Sequence, residues 1–178
     1  MIFRFPAFIL ALVATACSAP IVPPAAPPAK PVVVARPPVN IAPKLSGNWL
    51  DWPLAPGDWV YRRDERGSIA LFGVPGRDAL VTLRCDVARK RVYLARADVA
   101  ATGSATFSVR SSSARKEFSA QTTGGALPYL ATEIMPSDTI LDAIIYTRGR
   151  FALEATGQSP LAIPSWSEIA KIVEDCRT

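Results

Sequence analysis

From Gly57 to Thr123 the chain is cut into short alternating or aliphatic runs: GDWVYRRD, GSIALFGV, ALVTLRCD, RVYLARADV, ATFSVRSSS and KEFSAQTT. Turn pairs stand between them at Arg66-Gly67, Gly76-Arg77, Arg89-Lys90, Thr102-Gly103 and Ser113-Ala114. Parallel strands need a crossover of roughly a dozen residues or more, and these links are far shorter. The runs therefore predict neighbouring antiparallel strands. With RFALEATG added further on, the expectation is a mainly β (β-rich α+β) domain, a meander or sandwich of about seven strands. A short helix over SDTILDAIIYT, capped by Ser137, places Ile140, Leu141, Ile144 and Ile145 on one face.

The chain closes with PSWSEIAKIVEDC. Ser165 and Glu168 stand at capping-box spacing, and Trp166 beside them is placed to staple the helix start onto the sheet. Ile169, Ile172, Val173 and Cys176 recur at helical spacing and form a core-facing stripe, so Cys176 points inward. Cys85 shares a strand face with Val81 and Leu83 and points inward as well. Two inward cysteines in an oxidising compartment predict a Cys85–Cys176 disulfide that fastens the last helix to the sheet. Closing a loop of that length would stabilise the domain by about 4 kcal/mol in the chain-entropy model.

The N-terminus gives an address. Arg4 precedes the apolar stretch Phe5 to Ala16, and the small residues Ala14-Thr15-Ala16 come immediately before Cys17. That is the layout of an export signal, residues 1–16, with its cleavage site. The apolar run is about 12 residues, short of the roughly 20 that span a membrane. The order resembles the bacterial lipoprotein signal, whose cysteine becomes the lipid-bearing first residue. Ala14 stands where such signals carry Leu, and Ala14-Thr15-Ala16 also suits the ordinary signal peptidase. Acylation and a free thiol at Cys17 are both open. Three cysteines in the chain leave one without an intramolecular partner, and this favours lipid on Cys17. Residues 17–47 then form a tether: nine of the seventeen prolines lie between Ser18 and Gly47. Proline lacks a backbone donor and fixes φ, so thirty such residues in polyproline II would reach roughly 90 Å. Residues 48–178 are the globular domain.

The net charge of +5 is uneven, since four of the 20 basic residues lie before residue 45. The remaining 16 face all 15 acids, which leaves no electrostatic stripe for nucleic acid. The clusters at Arg62, Arg63 and Arg66 and at Arg89-Lys90-Arg91 read as solvated turns. The chain has no histidine, which removes Ser-His and Cys-His catalysis and most zinc sites. Neither a cofactor nor a metal site is expected. Ser113 and Lys116 fit S-x-x-K, but they sit between strands rather than on a helix, where the lysine could reach the hydroxyl. Asp138 and Asp142, one helical turn apart, could form an acid/base pair, although a helix N-terminus favours such anions in any case. Glu133 and Glu154 have no placeable partner. Gly124-Gly125 reads as a loop without the helix that a phosphate cradle needs. Trp49 and Trp52, at the junction of tether and domain, are a candidate binding surface for sugar rings if exposed, and packing groups if buried. Trp59 begins a strand and is expected in the core.

Trp59 to Arg177 resembles a group of uncharacterised exported proteins and lipoproteins of alphaproteobacteria, of the sphingomonad type. The resemblance rests on GDWVYRRD, Phe72-Gly73, Leu83 to Asp86, TRGRFALE and the closing W-x-E-I-A-K-I-V-E-D-C-R. It implies export and no particular activity. More loosely, the domain is similar to the invasion-associated locus B family of secreted sandwich proteins, from which it departs in its terminal helix and proline tether. The expectation is an envelope lipoprotein of the outer membrane, facing the periplasm. Its role would be non-catalytic binding or assembly with an envelope protein or peptidoglycan. A carboxylate hydrolase using Asp138, Asp142 or Glu133 is the alternative, and a soluble periplasmic or secreted protein is the alternative location.

Overall fold

The computed structural model describes Leu45 and residues 47–97, 103–124 and 127–178. The expected signal segment, Cys17 and the expected tether apart from Leu45 and Gly47 lie outside the described residues, as do Thr102 and Gly125. Among the described residues the domain is mainly β, with nine antiparallel strands in one curled half-barrel sheet and two helices packed on it. The strands are β1 (Asp58–Asp64), β2 (Gly67–Gly73), β3 (Val81–Asp86), β4 (Arg91–Ala97), β5 (Ser104–Arg110), β6 (Arg115–Thr122) and β7 (Tyr129–Ile134), followed by β8 (Arg150–Ala155) and β9 (Leu161–Pro164). Helix α1 (Thr139–Ile145) precedes β8, and α2 (Ser167–Arg177) closes the chain.

The first four strands form the expected meander, but the sheet order is β1-β2-β3-β4-β7-β6-β5-β8-β9. Strand β7 lies beside β4, and β8 returns after α1 to pair with β5. Strands β5 to β8 thus form a Greek key. Gly67 makes the β1–β2 turn possible: its φ is +137°, and a Cβ there would stand 2.6 Å from the Cys85 carbonyl oxygen.

Alternation divides the sheet into two faces. One carries Trp59, Phe72, Leu83, Leu94, Phe107 and Leu153 into a core closed by Ile140, Leu141 and Ile144 of α1 and Ile169, Ile172 and Val173 of α2. The curl is visible at Trp59, whose indole on edge strand β1 donates to the Pro164 carbonyl of edge strand β9 at 2.9 Å. Strand β2 buries Ser68, Ala70 and Phe72 and turns the larger aliphatics Ile69 and Leu71 away. The small residues make room where α2 crosses: Ser68 is paired with Cys85, and Cys85 is bonded to Cys176 of α2 with the Cα atoms 5.3 Å apart.

Both predicted helix caps move. Asp138, not Ser137, caps α1, its carboxylate accepting from the Ile140 amide at 3.1 Å. The Ser165–Glu168 capping box does not form, because Trp166 takes the cap position without a side-chain hydrogen bond. Ser165 instead donates to the Ile144 carbonyl at 2.5 Å and ties the two helices together. Trp166 is 44% exposed. It does not staple the helix.

Candidate functional site

The other face of the sheet is treated differently at its two ends. At β8–β9 it is covered by the lead-in to the domain: Trp49 and Trp52 pack on Ala152 and Ala162 in a small second core. Leu54 bridges to Ala162, and Arg150 donates to the Trp52 carbonyl at 2.6 Å. Both tryptophans are 9% exposed. The two open, coplanar rings that a sugar platform needs are therefore not there, and burial assigns Trp49 and Trp52 to packing.

Across β2, β3, β4, β7 and β6 the same face is uncovered and forms an open trough of about 770 Å³. Register builds it from two cross-strand rows. Leu71, Thr82, Ala95, Ala131 and Gln121 are successive partners, a row that is apolar over most of its length. Two residues along each strand, about 7 Å away, Ile69, Arg84, Tyr93 and Glu133 form the second row. Arg66 of the β1–β2 turn and Arg89 of the β3–β4 turn wall the charged side, while Thr122, Thr123 and Tyr129 wall the other. The sheet loosens here, since β6 and β7 share a register of two residue pairs.

The charged side is fixed by ion pairs. Arg84 holds Asp64 at 2.7 Å, Arg66 holds Asp86 at 2.9 Å and Arg91 holds Glu133 at 2.6 Å. The Arg84 hydrogen bonds take the Asp64 carboxyl down to about 2, and the Arg66 hydrogen bond lowers Asp86 as well. Arg89 has no carboxylate salt bridge among the described residues; the Tyr93 hydroxyl beside it raises its pKa further. Four arginines (Arg66, Arg84, Arg89 and Arg91) thus meet three carboxylates on one side of an aliphatic row.

The carboxylates weighed as catalysts are engaged elsewhere. Asp138 is paired to Lys116 at 2.5 Å, and Asp142 takes two hydrogen bonds from Arg177 at 2.8 and 3.1 Å, which lower its pKa. Glu154 faces Arg110 at 3.7 Å. Lys116 points to Asp138 and over the Phe118 ring, while Ser113 lies in the β5–β6 turn against Ser111. Of these residues, Glu133 alone lines the trough. Among the described residues no group of three or more acidic or cysteine side chains is placed to hold a metal. No family model, curated protein or solved structure matches the chain.

The sequence signal for the trough was present but two-sided. GSIALFGV is apolar at nearly every position, so composition cannot say which parity faces the helix. Arg66 and Arg89 stand in turns, as their clusters suggest, whereas Arg62 and Arg63 lie on β1, Arg84 lies within β3 and Arg91 opens β4. Register alone reveals that Arg66, Arg84 and Arg89 border the same aliphatic row.

Proposed function

We propose that this chain is a non-catalytic binding module of the cell envelope, anchored through lipid on Cys17 at the periplasmic side of the outer membrane, and that its ligand occupies the trough. The observation that carries the reading is the contrast within one sheet face. The apolar patch at Ala152 and Ala162 is sealed by two tryptophans, whereas Ile69, Leu71 and Ala131 stay partly exposed on an open space of about 770 Å³. That volume lies in the range of small-ligand sites. The carboxylates with shifted pKa values, Asp64, Asp86, Asp142 and Asp175, all move down, the opposite of what a general acid requires.

The test is a photoreactive residue placed in intact cells at Gln121, on the trough, and separately at Tyr146, which is 83% exposed on the helix side. A recurrent adduct of non-protein mass at position 121, absent at 146, supports a ligand-binding trough. Adducts confined to protein and to position 146 would replace this reading with an assembly role.

A further inference from the structure

The chemistry of the two rows narrows the ligand, on the reading that the trough is the binding site. Strand β2 had a choice of parity, and it placed Ser68 and Ala70 in the core and Ile69 and Leu71 outside. Half-exposed branched aliphatics on a face with no helix are an unfavourable use of apolar area unless something covers them. The row that Leu71 begins continues through Thr82, Ala95 and Ala131, whose short side chains leave room above the sheet. Five strands at the usual spacing make it about 19 Å long, a length suited to a slender apolar chain rather than a compact ring.

Charge complementarity then fixes the other end of the ligand. Arg66 and Arg84 are oriented by Asp86 and Asp64, and Arg89 stands beside the Tyr93 hydroxyl, with Asp86 and Glu133 close enough to attract it but in no salt bridge with it among the described residues. Guanidinium groups held this way present donor edges to a carboxylate or phosphate. A neutral head group would leave the excess cation unmatched, and a cationic one would be repelled.

We infer that the trough binds a single-chain amphipathic anion, its apolar chain along the Leu71–Ala131 row and its carboxylate or phosphate head at Arg89, Arg84 and Arg66. The probes are decanoate, decyl phosphate, decyl glucoside, decyltrimethylammonium and inorganic phosphate, each below its micellar concentration where it has one. They are titrated into the full exported chain carrying Cys17→Ser, with the methyl signals of Ile69, Leu71, Ala95 and Ala131 followed by NMR. Both decyl anions are expected to shift these methyls saturably and to bind at least about tenfold tighter than decyl glucoside. Preference between the two anions identifies the head group. Arg89→Gln should weaken the anions about tenfold and leave the glucoside and the thermal midpoint unchanged, while Ala131→Phe should block every decyl probe.

Equal binding of decanoate and decyl glucoside at these methyls would overturn the anionic head and keep the trough. Equal binding of inorganic phosphate and decyl phosphate would overturn the chain. A response to a muropeptide with none to the decyl probes would overturn the ligand class and keep the trough. If neither the decyl probes nor the muropeptide moves these methyls, the trough reading fails with it.

Discussion

At the residue scale, the carboxylates tie the turns and helices to the sheet. Asp64 accepts from Arg84 across β1 and β3, which takes its carboxyl to about 2, well under its ordinary value. Burial pushes Asp175 upward, but hydrogen bonds from Tyr61 and the Arg63 guanidinium outweigh this and bring it below the usual range. Asp86 and Asp142 are lowered in the same direction. A carboxyl whose folded pKa is depressed contributes stability that is fully present above its unfolded value, about 4. That contribution is lost as the pH falls toward the folded value. The urea midpoint should therefore be level in this respect above about pH 5 and fall between about pH 4 and 2. Asp64→Asn should lower the midpoint at pH 7 and shallow the acid slope. An unchanged slope in Asp64→Asn would show that the Arg84 pair contributes nothing to the acid transition.

At the element scale, α2 is the part whose role was most legible in the sequence and whose start was least so. Its stripe from Ile169 to Cys176 has a single period, and all four of its apolar side chains are buried as the spacing requires. The Cys85–Cys176 bond follows from two independent periodicities meeting inside. Replacing both cysteines with alanine should lower stability by about 4–5 kcal/mol in the chain-entropy model, read as a fall in the urea midpoint. Equal midpoints for the intact protein with and without reductant would remove that role. The helix start misleads because a Ser-x-x-Glu spacing describes a local possibility, and Ser165 found a distant partner in the Ile144 carbonyl. Ser165→Ala should thus cost about 1 kcal/mol or more, while Glu168→Ala should cost only a few tenths of a kcal/mol, from its lost attraction to the helix N-terminus. The reverse order would restore the capping box. Strands β7 and β9 were missed for related reasons. β7 follows Pro128 directly and β9 is four residues ending in Pro164, so both look like loops until a neighbour supplies the ladder. The order of the sheet beyond β4, and with it the trough, depends on which strand reaches β4 first. Local pattern does not encode that.

At the scale of the whole molecule, position and binding depend on one another. A trough for an amphipathic anion is useful beside a membrane, where such molecules concentrate, provided the domain is held near the surface without being pressed against it. On the proposed reading, a lipid on Cys17 and the proline-rich stretch would supply those two conditions separately. Charge gives a competing way to hold the protein there, because the segment from residue 17 to 44 carries Lys30, Arg36 and Lys44, while the rest is close to neutral. Each basic residue near an anionic surface contributes about 1 kcal/mol, and that attraction is screened by salt. An acyl chain is not released by salt. Membranes from cells making the native chain should therefore retain it through a high-salt wash. Cys17→Ser should move it to the soluble periplasmic fraction with the domain's thermal midpoint unchanged. A Cys17→Ser protein that stays on the membrane in low salt and washes off in high salt would assign the attachment to the basic segment. One that stays through both would refute Cys17 as the anchor and direct attention to the trough itself as the membrane contact.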